Sequence, residues 1–440
     1  MGETMRDELN IIVDPERLVE GSPEERACFA AVAFKYGTAW LTEGYDGFVN
    51  KVRSAPLLSA YHLAEWMAWN WWRLRWEPRS NATDWQFAHS LTTIGEGYVW
   101  PNITIFSDGE RVTLAAKPTR ERQSTRFRYL SDAAPVMNAR DFEYTVDQFI
   151  EQVRGLLRDA KIQKSNLDRV WNDLMEERQD PSASKRRKFE ALLGHDPDQA
   201  PKAEIEQLVT DGDSLGELAM TEVAADYPQG GKLLTAKLLR EAADSNGFEA
   251  IPQDVVCLAP GTRLPPAGEA PAWQLGAEAA RALREQERLG TGRIGNDVLA
   301  TLAGVEDQVL SAIQSGSTIS FALDNGATGR VVLRPKWETG RRFDLARLLG
   351  DRVVTATARR LFPATRAHTY RQKMQRSFAA ELLSPFETVD GMLEGDYSME
   401  NRQDVAEYFQ VSEWTIRTLL VNHRRLERAD LEEDFLEAEV

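Results

Sequence analysis

The sequence predicts a mostly helical α+β chain of several domains, and three observations carry that expectation. Eight of the twelve tryptophans fall within the first hundred residues. Long amphipathic helical periodicities fill the middle, and alternating apolar stretches flank short polar turns near both ends. At 440 residues the chain is long enough for two or three domains. A composition of 42% apolar and 28% charged residues is that of a folded chain rather than a disordered one.

The first domain is expected to span 1–135 and to be mixed α/β. Its tryptophans are Trp40, Trp66, Trp69, Trp71, Trp72, Trp76, Trp85 and Trp100. They imply a bulky aromatic core, the preferred account, or an aromatic recess that stacks bases or ring-bearing ligands. Residues 59–76 read as one helix, with Leu63, Trp66, Met67 and Trp69 recurring along a single face and Trp71, Trp72 and Trp76 widening it. NITIF and RVTLAA, either side of Ser107-Asp108-Gly109-Glu110, read as a hairpin.

From 140 to 257 the pattern is that of a helical middle region. Phe142, Val146, Phe149, Ile150, Val153 and Leu157 mark one amphipathic helix, and Leu167, Val170, Trp171 and Leu174 another that ends at Asp180-Pro181. The basic stretch Ser182 to Phe189 reads as the solvated start of a further helix. Asp211-Gly212-Asp213 and Ser245-Asn246-Gly247 read as connectors. Pro260, Pro265, Pro266 and Pro271 mark 258–272 as a linker. The last domain, 273–426, carries the helix AWQLGAEAARALREQ and a hairpin across Asp324-Asn325-Gly326. Helices at RRFDLARLLGDR and RSFAAELL follow, then a closing helical pair with the outline of a helix-turn-helix. Residues 427–440 form an acidic tail.

Composition also bounds function. A net charge of -16 opposes indiscriminate adsorption to DNA or anionic lipid, so any nucleic-acid surface must be local. Cys28 and Cys257 are too few for a disulfide framework or a thiolate metal site. With no basic-then-apolar leader and no membrane-spanning apolar run, the expected location is the cytoplasm, without a membrane partner. No phosphate loop, dinucleotide fingerprint or paired-carboxylate signature stands out in residues 1–250. The Asp-Gly pairs at 46–47, 108–109, 211–212 and 391–392 are turn chemistry.

The last domain resembles a known family. It contains Arg341-Arg342-Phe343, Leu345-Ala346 and Leu349-Gly350, then Phe378-Ala379-Ala380-Glu381-Leu382-Leu383-Ser384-Pro385, and last Val405-Ala406-Glu407-Tyr408-Phe409-Gln410-Val411-Ser412. With the entry helix at Gly276 to Arg284, this ordered series resembles the ImmA/IrrE family of bacterial metallopeptidases. The resemblance implies a zincin-like domain with a helical end. It further implies kinship with proteins that cleave repressors or antitoxins in stress, mobile-element and phage-defence circuits.

The family's catalytic residues are missing. Two histidines at i and i+4 would hold zinc and the intervening Glu would polarise its water. Here Arg347, Leu348 and Asp351 occupy those positions, and Met374 stands where the resemblance implies an acidic third ligand. A guanidinium cannot coordinate zinc, and one carboxylate with a thioether binds it feebly. The expectation is an inactive peptidase site with no metal and no cofactor. Arg347 and Asp351, four apart on one helix face, are expected to pair with each other and close the old site. His62 with Glu65, and His368, are the remaining metal candidates, each more simply explained by packing.

Between Arg334 and Arg376 stand twelve basic residues, namely Arg334, Lys336, Arg341, Arg342, Arg347, Arg352, Arg359, Arg360, Arg366, Arg371, Lys373 and Arg376, against Glu338, Asp344 and Asp351. They read either as solvated helix surface paired with acidic segments or as a site for nucleic acid or another anion. Three functions follow. The preferred one is a noncatalytic interaction or regulatory protein, with a protein partner or larger complex, whose hairpin and groove hold an extended peptide by strand addition. The second is a nucleic-acid-binding subunit using the 334–376 region. The third is an enzyme centred in the N-terminal domain.

Overall fold

A computed structural model describes residues 8–80, 82–120, 126–230, 232–312, 317–355 and 359–427. The acidic tail, Glu427 apart, lies outside the described residues. The architecture is mostly helical α+β with several small antiparallel sheets. No helix among the described residues is long and apolar enough to cross a membrane. The chain divides into two compact units, Met1–Val209 and Thr210–Val440. This boundary falls inside the stretch read as one helical middle region.

The first unit opens with β1 (Leu9–Pro15), α1 (Pro23–Ala27), β2 (Phe29–Tyr36), β3 (Ala39–Trp40), β4 (Gly44–Asp46), β5 (Lys51–Arg53) and β6 (Leu57–Ser59). Helices α2 (Ala60–Trp69), α3 (Trp71–Trp76) and α4 (Trp85–His89) follow, then β7 (Ile103–Ser107), β8 (Arg111–Ala116), β9 (Phe127–Tyr129) and β10 (Val136–Asn138). Helices α5 (Ala139–Asp159), α6 (Asn166–Gln179) and α7 (Pro181–Leu192) complete it, and α8 (Lys202–Leu215) runs across the boundary.

Three antiparallel sheets result: β1-β2-β3 with β6 on β2, β10-β8-β7, and β5-β4-β9. The expected β7–β8 hairpin forms, with the Asp108 carboxylate accepting from the Glu110 and Arg111 amides to fix its turn. The single helix expected over 59–76 is broken at Asn70, whose side-chain amide donates to the Trp66 carbonyl. The break re-aims the aromatic stripe. Trp71 and Trp72 are buried with Met67, Phe142, Phe149 and Trp171, whereas Trp69, expected on the apolar face, is 50% exposed.

The second unit contains α9 (Glu217–Ala225), α10 (Ala236–Asn246), β11 (Phe248–Ala250), α11 (Ala272–Gln286), α12 (Asn296–Leu302), α13 (Gln308–Ser311), β12 (Ser320–Asn325) and β13 (Thr328–Val332). It continues with α14 (Glu338–Val354), β14 (Leu361–Ala364), α15 (Tyr370–Leu383), α16 (Phe386–Leu393), α17 (Met399–Phe409) and α18 (Glu413–Asn422). Its antiparallel sheet has the order β11-β13-β12-β14. The β12–β13 turn closes through Gly326 at φ 76°, a left-handed position that glycine adopts without strain.

Helices α11, α14 and α15 pack together on the residues that carry the family resemblance. A Cβ on Gly276 would lie 2.3 Å from the Met374 carbonyl, and one on Gly350 would lie 2.4 Å from the Phe378 ring. Glycine at both positions lets the three helices approach closely. Phe378 thereby enters a core with Leu345, Leu349, Leu382, Phe409 and Ile416.

Candidate functional site

The face of α14 that would carry a peptidase's zinc ligands is buried and filled by its own ionic network. Arg347, 5% exposed, does not meet Asp351. One guanidinium nitrogen lies 3.1 Å from Asp344 Oδ1, and the other donates to the Thr365 carbonyl at 2.6 Å and to Gln372 Oε1 at 2.7 Å. Gln372 also accepts from the Thr365 amide at 2.8 Å and donates to the Pro363 carbonyl at 3.1 Å. The Ser320 hydroxyl donates to the second oxygen of Asp344 at 2.6 Å.

Asp351, with no exposed surface, is instead held in a fork by Arg371 from α15, at 2.7 and 2.5 Å. The expected i,i+4 pair is therefore replaced by two separate pairs, one local and one between helices. Side-chain direction decides this: Arg347 reaches back toward Asp344 along the helix, while Asp351 faces α15. Leu348 and Met374 are both 2% exposed and add no donor to the site.

A third carboxylate was not legible in the sequence. Glu222 of α9 is 5% exposed and accepts a 2.5 Å hydrogen bond from the Thr369 hydroxyl. Burial raises its pKa, opposed by the charge of Arg371 and the Thr369 hydrogen bond. Asp226, just beyond the same helix, accepts from the Arg366 amide at 2.7 Å and lies 3.7 Å from its guanidinium. A Glu set among Met220, Val223 and Ala224 was the available signal, because a carboxylate in an apolar helix needs a partner.

The remaining basic residues do not form one surface. Arg341 and Arg342 are 1% and 0% exposed; Arg341 donates to the Val309 carbonyl, and Arg342 to the Ile294 carbonyl and Asn296. Burial pulls the pKa of both downward. Arg352 pairs with Asp324 at 2.5 Å and lies over Phe362. Arg376 donates to the carbonyls of Thr365, Arg366 and Ala367. Arg359 and Lys373 are half-buried, and Arg334, Lys336, Arg360 and Arg366 are exposed.

The residues present do not fit a zinc ion. At the positions that the motif resemblance would assign to the first two ligands, a cation would meet the Arg347 guanidinium and the Asp351 carboxylate, which is already committed to Arg371. No group of three or more His, Cys, Asp or Glu side chains suited to a metal ion occurs among the described residues. His62 meets the ring of Tyr61 edge-on, while Glu65 accepts from Tyr61 and Asn166.

The peptide-binding edge expected of the hairpin is also taken. β11 pairs with β13 and β14 pairs with β12, so both outer edges of the hairpin already carry a strand. No protein-family model, curated protein or solved structure matches this chain. The family reading thus rests on the motif residues and their spacing.

Proposed function

We propose that the chain is a noncatalytic interaction or regulatory protein built on a peptidase-like domain whose catalytic centre has become a structural ionic core. The observation that carries this reading is the position of Arg347. Its guanidinium stands where a first zinc ligand would be needed, and its hydrogen bonds run to Asp344, Thr365 and Gln372. Hydrolysis by this helix pair would require displacing a buried cation and freeing Asp351 from Arg371. Either step leaves uncompensated buried charge. With both hairpin edges occupied, a partner docks elsewhere than by strand addition there. The circuit it serves is, by the motif resemblance, of the stress, mobile-element or phage-defence kind.

Two measurements test this. The purified chain given excess zinc should retain far less than one ion per molecule and leave an unfolded protein substrate uncut. Stoichiometric zinc released by Asp351→Asn, with cleavage lost in parallel, would overturn the noncatalytic reading. Isolated from its native host under gentle conditions, the protein should carry a stoichiometric macromolecular companion by light scattering; a bare monomer would count against the interaction role.

A second reading places nucleic acid on the Arg334–Arg376 region. Burial of Arg341, Arg342 and Arg347, and the internal pairing of Arg352 and Arg371, weigh against it.

A further inference from the structure

The small sheet β5-β4-β9 of the first unit has two unlike faces. On its packed side, Phe127 meets Tyr129 edge-on at 5.2 Å, and Tyr129 is buried with its hydroxyl donating to the Val99 carbonyl at 2.6 Å. Gly44 belongs to that side, where a Cβ would lie 2.6 Å from the Phe127 ring. The other side holds Val52, Tyr45 and Arg128 in one cross-strand row. At the adjoining turn Phe48 is 69% exposed and Val49 47%, and Val52 on the edge strand is 57% exposed.

Each aromatic ring here has a cationic neighbour. The Arg126 guanidinium lies 5.0 Å from the centre of the Phe48 ring, and that of Arg128 lies 5.5 Å from the centre of Tyr45. Over 44–53 and 126–130 the basic residues are Lys51, Arg53, Arg126 and Arg128 and the only acid is Asp46, a local excess of three positive charges in a chain of -16, with Lys51 and Arg53 alternating to the packed side and Arg128 to the side of Tyr45. Asp46 is already paired with Arg53 at 3.1 Å.

We propose that this face binds single-stranded nucleic acid, with Phe48 and Tyr45 as stacking surfaces for two bases and Arg126 and Arg128 meeting the phosphates. The pairing of ring with guanidinium selects this ligand class. An unpaired base offers an apolar face to the ring while its phosphate lies within reach of the neighbouring cation. A duplex hides its base faces and can use only the charges. The local positive field inside an acidic protein supplies the complementarity and confines binding to this patch. The site lies in the first unit and does not depend on the fate of the peptidase-like centre.

The test uses the full chain and fluorescein-labelled oligothymidylate, oligouridylate and a hairpin duplex, followed by anisotropy at low and moderate salt. Either single strand should bind more tightly than the duplex, and the two oligomers distinguish DNA from RNA preference. Phe48→Ala should weaken binding by about ten-fold, in the range of one lost base stack, whereas Phe48→Tyr should retain it. Arg126→Glu with Arg128→Glu should abolish binding, and Arg126→Gln alone should flatten the salt dependence by about one phosphate contact. Phe48 is largely exposed, so its truncation removes no core, and an unchanged thermal transition confirms that. Absence of single-strand binding at low salt, equal binding of duplex and single strand, or indifference to Phe48→Ala would overturn the proposal. Phe48-dependent capture on anionic vesicles without oligonucleotide binding would overturn it too and assign the face to lipid.

Discussion

Arginine at position 347 is structural, because its buried guanidinium organises the acceptors of Asp344, Thr365 and Gln372 around itself. Removing it should be costly. Arg347→Ala leaves the Asp344 carboxylate, 4% exposed, with the Ser320 hydroxyl as its remaining donor partner and strips the Thr365 carbonyl of its Arg347 bond. The expected loss is about 3–5 kcal/mol in urea unfolding, and a loss below about 1 kcal/mol would show that the pair is dispensable. Glu222 gives a pH signature. Because burial raises its pKa in the folded chain, its contribution is full below the ordinary carboxyl range and is lost as pH rises through the raised value. Glu222→Gln mimics the protonated form and can still accept from Thr369. The variant should therefore gain stability over the parent progressively as pH rises above about 4.5, the unfolded value, in melts compared at acidic and neutral pH. A gap that does not change with pH would mean Glu222 titrates normally.

At the scale of elements, α14 and α15 are locked by the fit of Gly350 against Phe378. Helix propensity alone favours Ala over Gly by about 1 kcal/mol. Gly350→Ala should nevertheless destabilise, by about 1–3 kcal/mol, because its Cβ would stand 2.4 Å from the ring of the fully buried Phe378. Adding Phe378→Leu should recover part of that loss in a double-mutant cycle, and additive losses would argue against direct contact. Local sequence pattern located α14 and α15 at their motif stretches and the β7–β8 and β12–β13 hairpins at their polar turns. It failed at Asn70, where a side-chain hydrogen bond to Trp66 ends α2 and begins a new helix. The pairing of β11 with β13 was equally illegible: a three-residue strand carries almost no periodicity, and its partner lies about eighty residues downstream.

For the whole molecule, the two compact units have separate cores. The first gathers Phe34, Trp71, Phe142 and Trp171, and the second Leu283, Leu345, Phe378 and Phe409. Cut at 199/200, which keeps α8 intact, each piece should unfold cooperatively in urea, with a slope in proportion to its own buried surface. A first piece lacking a cooperative transition would show that its core is incomplete without the second. Of the eight tryptophans behind the expectation of an aromatic core, Trp71, Trp72, Trp85 and Trp100 are buried, Trp40, Trp66 and Trp76 are half-buried and Trp69 is exposed. The charge run from Arg334 to Arg376 was a poorer guide, because sequence counts charges without counting the carbonyls and carboxylates that fold back onto them.

By itself, the sequence determined the mostly helical α+β class, the main helices and hairpins, and the chemical unsuitability of Arg347, Leu348, Asp351 and Met374 for zinc. These follow from side-chain chemistry and short-range spacing. Only the tertiary structure decided which groups meet: that Arg347 pairs with Asp344, that Arg371 takes Asp351, that α9 brings Glu222 to Thr369, and that Arg126 lies over Phe48 and Arg128 over Tyr45. The partners in most of these contacts lie tens of residues or more apart, and the dehydrated interior in which the buried ion pairs acquire their strength exists only once the chain has closed around them.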